Sequence, residues 1–323
     1  FAQALLQKKT LFKRAETWEN FYSASHTYPG TDVPVNAHGL WATEFENTRT
    51  LGHGGNSPGF TTSLLLDLKS GIGSVVTVNQ RNEFHFAIAM PDLIYGRKKE
   101  ASKASQRDFQ AGFYREARIF SKGPLSIFRV FKSTSYLNNP SENAAIKVYF
   151  GFWTAGEKGG SYRLNLPISD RMKLSLLDVI RDYGSLVLAG LALLYVALCY
   201  LCGILAKLYR LLLGKNKGSN SAVWSIWHYL TGFIILWVFR NLFSFFSIIL
   251  AKNSFDLAGL TGHFQLFALL ALVLLISAFL PYLPFFKERL KQGNKYLTLA
   301  TSSAAFIIAF NIFYWSLYQW WAL

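Results

Sequence analysis

The sequence predicts an α+β part, with an antiparallel sheet and flanking helices, then a small mixed or β region, then a four-helix transmembrane bundle. Three observations carry this. The first is an uneven composition. The 323 residues are 51% hydrophobic with a formal net charge of +15, yet residues 1–182 hold 23 Lys/Arg and 16 Asp/Glu while residues 183–323 hold only 10 and 2. The second is a set of four apolar runs, each long enough to cross a hydrocarbon core of about 30 Å at about 1.5 Å per residue. The third is a pair of strand-like runs, Thr61 to Asp67 and Ile72 to Asn79, behind the stretch Gly52-His53-Gly54-Gly55-Asn56-Ser57-Pro58-Gly59-Phe60. They read as a glycine-bordered hairpin whose entry strand carries one histidine. The divisions implied are 1–96, 97–182 and 183–323.

Residues 1–24 are compatible with helix, Phe1, Leu5, Leu6, Leu11 and Phe12 forming an irregular apolar stripe. Tyr28-Pro29-Gly30-Thr31-Asp32 is a turn signal, and Gly39 to Phe45 reads as a strand. Residues 83–95 suit a closing helix, broken or started late at Pro91. A basic stretch opens at Arg97-Lys98-Lys99, suited to anionic headgroups, to cell-wall polymers or simply to solvent. Ala145 to Trp153 and Tyr162 to Leu166 are strand-like, with a turn region at Gly156 to Gly160. His38 and His85 read as ordinary surface or strand residues, and His26 is given no role. The chain opens at Phe1 with no signal peptide and with sequence that reads as the middle of a domain, which predicts a C-terminal fragment or a processed piece.

The spans are expected at about 184–206, 222–251, 260–286 and 296–320. Loops 207–220 and 287–295 are rich in Lys and Arg, so they belong inside, and residues 1–182 belong outside. Trp224, Trp227, Trp315, Trp320 and Trp321 near the span ends suggest an interfacial belt. His228, Arg240 and Asn311 are the polar residues within or near the spans. Arg240 reads as a snorkelling or helix-bonded arginine, because one arginine is not a proton relay. A transporter-like module is the reading that would require more of it. Cys199 and Cys202, the only cysteines, lie in an apolar run, so no disulfide framework is expected and a redox or metal role is disfavoured. Nucleic acid is excluded as a partner by the missing aromatic-basic footprint. Membrane lipids are the expected partner.

Residues 39–79 present, in order, Gly39-Leu40-Trp41, then Gly52-His53-Gly54-Gly55, then Pro58-Gly59-Phe60, then Val76-Thr77-Val78-Asn79. This set resembles the C-terminal end of the catalytic domain in the serine β-lactamase/penicillin-binding-protein-like hydrolases. The match is to the class C-like branch, with its D-Ala-D-Ala carboxypeptidases, D-aminopeptidases and esterases, and it covers roughly residues 1–96. Gly112-Phe113-Tyr114-Arg115 resembles the opening of the small β domain that often follows. The resemblance implies that His53-Gly54-Gly55 is a His-x-Gly variant of the family's Lys-Thr-Gly motif, on the strand lining one wall of the active site. His53 would orient substrate, and Gly55 would let its backbone approach. The N–H of Asn56 would be an oxyanion donor, worth about 2.7–4 kcal/mol of barrier. Gly54 and Ser57 would border the substrate. No cofactor or metal is implied, and the substrate would be a peptide, a peptidoglycan-like amide or an ester.

The nucleophilic Ser-x-x-Lys of that family is missing, since no serine of residues 1–182 has lysine three places on. Tyr136-Leu137-Asn138 matches the family's Tyr-x-Asn, but in the wrong order along the chain. The expectation is therefore a membrane-anchored extracytoplasmic serine hydrolase whose nucleophile lies upstream. The other reading is a non-catalytic membrane sensor or scaffold that binds peptide or wall fragments.

Overall fold

The computed structural model describes residues 1–57, 59–81, 83, 85–101, 108–120, 122–131, 134–142, 151–213, 222–251, 257–290 and 294–322. The chain divides into two compact units, Phe1–Arg118 with Ser133–Ser175, and Ile119–Lys132 with Leu176–Leu323.

The first unit is α+β, with two antiparallel sheets. The larger is a meander of β1 (His26–Thr27), β2 (Pro34–Ala37), β3 (Leu40–Glu44), β4 (Arg49–Asn56), β5 (Thr61–Asp67) and β6 (Ile72–Val78), each beside its neighbour in sequence. The turns have local causes. His38 and Gly39 join β2 to β3 with φ of 45° and 96°, the pattern of a type I′ hairpin. Asp67 closes the β5–β6 turn by accepting from Lys69 N, Ser70 N and the Ser70 and Thr48 hydroxyls. Burial acts to raise its carboxyl, but these hydrogen bonds hold it below the ordinary carboxylate range.

Residues 1–24 form two short helices, α1 (Ala2–Leu6) and α2 (Ala15–Tyr22), because Lys8 and Thr10 take positive φ between them. Leu5 and Trp18 bury Leu66, with Leu64 beside it. The alternation of side chains along a strand sends Leu65 to the opposite face. There Tyr95, the last residue of α3 (Met90–Tyr95), donates to Leu65 O at 3.2 Å. The expected closing helix is thus real but short. A π-helical turn, His85–Ala89, precedes it.

The second sheet has the order β8-β7-β11-β10-β9, with β7 (Gly112–Glu116), β8 (Thr134–Leu137), β9 (Thr154–Lys158), β10 (Ser161–Asn165) and β11 (Arg171–Lys173). Tyr114, Leu137, Trp153 and Leu164 form its core. Gly156 lies within β9, so the expected turn at 156–160 shrinks to Gly159-Gly160, both at positive φ. Of the strand expected at 145–153, residues 145–150 lie outside the described residues. Phe152 and Trp153 are buried, and Phe152 O accepts from the hydroxyl of Tyr28, just after β1, at 3.2 Å.

Among the described residues, the second unit contains four helices long and apolar enough to cross a membrane. These are α5 (Leu176–Leu212), α6 (Ala222–Ala251), α7 (Leu257–Phe279) and α9 (Lys295–Tyr314); a shorter α8 (Pro284–Leu290) precedes α9. The first begins eight residues before the expected span. Small residues, Ala271, Ala278, Ala304, Ala305 and Ala309, are buried at the heart of the unit, where they allow close helix approach. Residues of the expected basic linker also belong here. A 3-10 turn, Pro124–Ile127, runs into α4 (Phe128–Phe131), and Ile127 and Val130 join the core.

Three of the five tryptophans expected in an interfacial belt are inside the bundle instead. Trp224, Trp227 and Trp315 are buried, and each N–H has a partner: Thr298 Oγ1 at 2.8 Å, Ser277 O at 3.1 Å and Ser185 Oγ at 3.2 Å. Trp320 and Trp321 are exposed. His228 is also buried, its Nδ1 2.7 Å from Thr301 Oγ1 and its ring stacked on Trp224.

Candidate functional site

The pairing phase of β4 decides what its end can do. Ser57 N donates to Phe60 O and Phe45 N to Thr48 O, both at 2.8 Å. In an antiparallel ladder, successive residues turn their N–H and C=O to opposite neighbours. Counting in twos from these bonds, Leu51, His53 and Gly55 bond to β5, and Thr50 and Gly52 bond to β3. Gly54 and Asn56 share the orientation of Gly52. However, the ladder with β3 stops at the pair Trp41↔Gly52, because the His38-Gly39 turn leads that chain away. Among the described residues, the N–H and C=O groups of Gly54 and Asn56 therefore face an open strand edge.

That edge borders a cleft of about 590 Å³ lined by Trp41, Gly52, His53, Gly54, Gly55 and Asn56, with Thr43, Phe45, Ser63 and Leu65 beside them. His53 is exposed and stacks on Trp41, ring centroids 4.5 Å apart at 16°. The Asn56 side chain is held by Thr61, whose hydroxyl lies 2.8 Å from Asn56 Oδ1 and 2.7 Å from Gln80 O. Nothing stands within 4 Å of a Cβ built on Gly55. Gly52 is different: a Cβ there would meet Leu64 O at 1.9 Å. Ser57 does not line the cleft; it closes the turn, its hydroxyl accepting from Phe60 N at 3.1 Å.

Three residues distant in sequence, Arg118, Pro167 and Ile168, complete the lining. No local pattern marks them, because they reach the cleft only through the second sheet. Arg118 is exposed. Lys98 also borders the cleft, but its side chain is 8% exposed and paired with Asp92, so this member of the basic stretch is a packed residue. The first residues of the stretch run beside the end of β3, with Lys99 N donating to Glu44 O at 2.9 Å. Tyr136 packs on Phe113 and lines no part of the cleft. His38 lies in the turn, and His85 opens the π-helical turn.

Glu83 fixes the segment that roofs this face. Its carboxylate accepts from the backbone N–H of His85 (2.6 Å), Phe86 (3.0 Å) and Ala87 (3.0 Å), and Ala87 and Pro91 then line the cleft. Burial acts to raise this carboxyl, but the N–H groups of Ala87, His85 and Phe86 hold it below its usual value of 4.5. A carboxyl with a lowered folded-state pKa stabilises the fold above its unfolded pKa and loses that contribution as pH falls through the folded value. Glu83→Gln should therefore melt well below the parent at neutral pH, and the gap should close on acidification. Melting curves of both proteins across the acid range check this, and a gap independent of pH would refute it.

Among the described residues, no group of three or more His, Cys, Asp or Glu is placed to hold a metal. Cys199 and Cys202 are free. What the cleft offers is an open strand edge, an exposed imidazole and an exposed guanidinium. Such an edge can accept an extended peptide as an added strand, or direct N–H groups at a carbonyl oxygen. Compared with known proteins, the chain matches no family model, no curated protein and no solved structure.

Proposed function

We propose that this chain carries one wall of a serine-hydrolase site of the β-lactamase/penicillin-binding-protein-like type, tethered to a membrane by its helical unit. The observation behind this reading is the N–H of Asn56, which has no strand partner among the described residues, on the edge beside His53. A serine hydroxyl attacks the substrate carbonyl and its proton passes to a base. The tetrahedral oxyanion accepts from Asn56 N–H, while His53 orients the substrate. Collapse expels the amine or alcohol, which takes up the proton, and water then cleaves the acyl-enzyme. Gly54 and Gly55 leave room for an extended peptide, peptidoglycan-like or ester substrate. No serine here has lysine three residues on, so the reading takes the nucleophile from residues beyond this sequence. The Lys/Arg bias of the loops supports an outward-facing cleft.

That missing motif also favours a second reading, a membrane sensor that binds peptide or wall fragments in the cleft without cleaving them. A serine-directed covalent probe separates the two. Under the enzyme reading, a polypeptide that includes the upstream sequence is labelled, and the 323-residue chain alone is not. His53→Ala should slow that labelling by about 10- to 100-fold, the worth of one hydrogen bond to a charged group. Unchanged labelling would remove His53 from the site. An intact upstream sequence that binds peptide but never labels would establish the sensor.

A further inference from the structure

Arg240 lies within α6, eleven residues before its end at Ala251. The neighbouring residue sets its depth. Asn241 Nδ2 donates to His263 O at 3.0 Å, and Asn241 Oδ1 lies 2.7 Å from His263 Nδ1. His263 is six residues into α7, which places this level about 9 Å below the end of that helix at about 1.5 Å per residue. The Arg240 side chain is thus inside the apolar layer yet within snorkelling reach of the headgroups on the α6–α7 side.

Phe233, Leu236, Trp237 and Arg240, at spacings of three and four, line a groove of about 440 Å³ on this face. Phe233, Trp237 and Arg240 are exposed, and the two rings meet edge-to-face at 5.8 Å. Among the described residues, no carboxylate pairs with Arg240. An arginine at the centre of a spanning helix costs about 2.5–3.5 kcal/mol on insertion scales, and among the described residues no carboxylate offsets any part of that. A phosphate does offset it, because the guanidinium fork binds two of its oxygens at once.

We propose that this groove binds a phosphate-bearing lipid from the leaflet on the α6–α7 side. The phosphate sits on Arg240, and an acyl chain lies along Phe233, Leu236 and Trp237 toward the membrane centre. The apolar surface alone would accept any tail or helix; the cation at its interfacial end is what selects phosphate. The groove is also polarised the right way, with the charge nearer the headgroups and the rings deeper.

The test titrates the full 323-residue chain in mild detergent with phosphatidylglycerol, with diacylglycerol of the same acyl chains and with inorganic phosphate, reading adducts by native mass spectrometry. Phosphatidylglycerol should bind at least about tenfold more tightly than diacylglycerol, the equivalent of one charge-assisted hydrogen bond. Inorganic phosphate should not displace it. Arg240→Gln should remove that preference and leave diacylglycerol binding unchanged, Arg240→Lys should keep part of it, and Trp237→Ala should weaken both lipids. Equal binding of the two lipids by the parent chain overturns the proposal whatever the variants do. So does an unchanged preference in Arg240→Gln. Displacement by inorganic phosphate would make the site a free-anion site, and a dimer that Arg240→Gln splits would make the face a protein interface; either result also overturns it.

Discussion

Replacing Asp182 with alanine is expected to destabilise the helical unit by about 3–5 kcal/mol, the cost of breaking a buried ion pair from one side. Asp182 has no exposed surface. Its carboxylate accepts from Arg129 Nη2 at 3.1 Å and from the Tyr314 hydroxyl. Arg129 in turn lies over the Trp315 ring, 4.6 Å from its centroid, and Ser126 Oγ donates to Trp315 O at 3.1 Å. The carboxylate thus ties three pieces of chain together: the segment with α4, the start of α5 and the end of α9. Alanine would leave the guanidinium, its side chain 16% exposed, against the Tyr314 and Trp315 rings without that carboxylate. The segment should lift away, so residues 119–132 should become sensitive to protease while the four long helices persist. Asp182→Leu combined with Arg129→Met should recover most of the loss, since replacing both charges removes the desolvation cost along with the attraction. Denaturation midpoints in detergent decide the matter. A loss within about 1 kcal/mol would mean that water reaches the pair, which would then behave as a surface ion pair.

Neither Asp182 nor Arg129 stands out in the sequence, and the reason is general. Four spans are legible from apolar length alone, because any helix that crosses a bilayer needs that length. Which face of each span is buried depends on partners from other helices. Trp224 and Trp315 look like belt residues until Thr298 and Ser185 are placed beside them. The same division holds in the other unit. The meander of β3 to β6 is legible because each strand pairs with its neighbour, so alternation and turn residues suffice. His53, Gly54, Gly55 and Asn56 come together for that reason, being consecutive on one strand. Arg118, Pro167 and Ile168 reach the cleft through a second sheet with the non-sequential order 8-7-11-10-9, which no local period records. Ser57 shows the opposite failure. Its position beside the glycines suggests a site role, whereas its hydroxyl closes the turn.

The glycines of β4 supply the sharpest contrast, because the same substitution should have opposite outcomes three residues apart. At Gly52, a Cβ would lie 1.9 Å from Leu64 O and 2.7 Å from Leu65 Cδ2. The first is a backbone atom within the β4–β5 ladder, so it cannot swing aside as a side chain would. Gly52→Ala should force the two strands apart and destabilise the first unit by at least about 1–3 kcal/mol, the usual range for overpacking a well-packed site. The damage should spread to the cleft, because the registers of His53, Gly54 and Asn56 all run through that ladder. At Gly55, a Cβ would meet nothing within 4 Å. Gly55→Ala should therefore change stability by no more than about 0.5 kcal/mol, as at an ordinary surface position. Under the hydrolase reading Gly55 stays bare so that an extended substrate backbone can approach, and an added methyl should weaken that binding. Paired melting curves test the structural half of this contrast, and equal losses at the two positions would refute the strand register drawn here. Peptide binding to the intact Gly55→Ala protein tests the functional half. Weakened binding at unchanged stability is the signature of a glycine kept for a ligand, whereas unaltered binding would show that no backbone passes over Gly55.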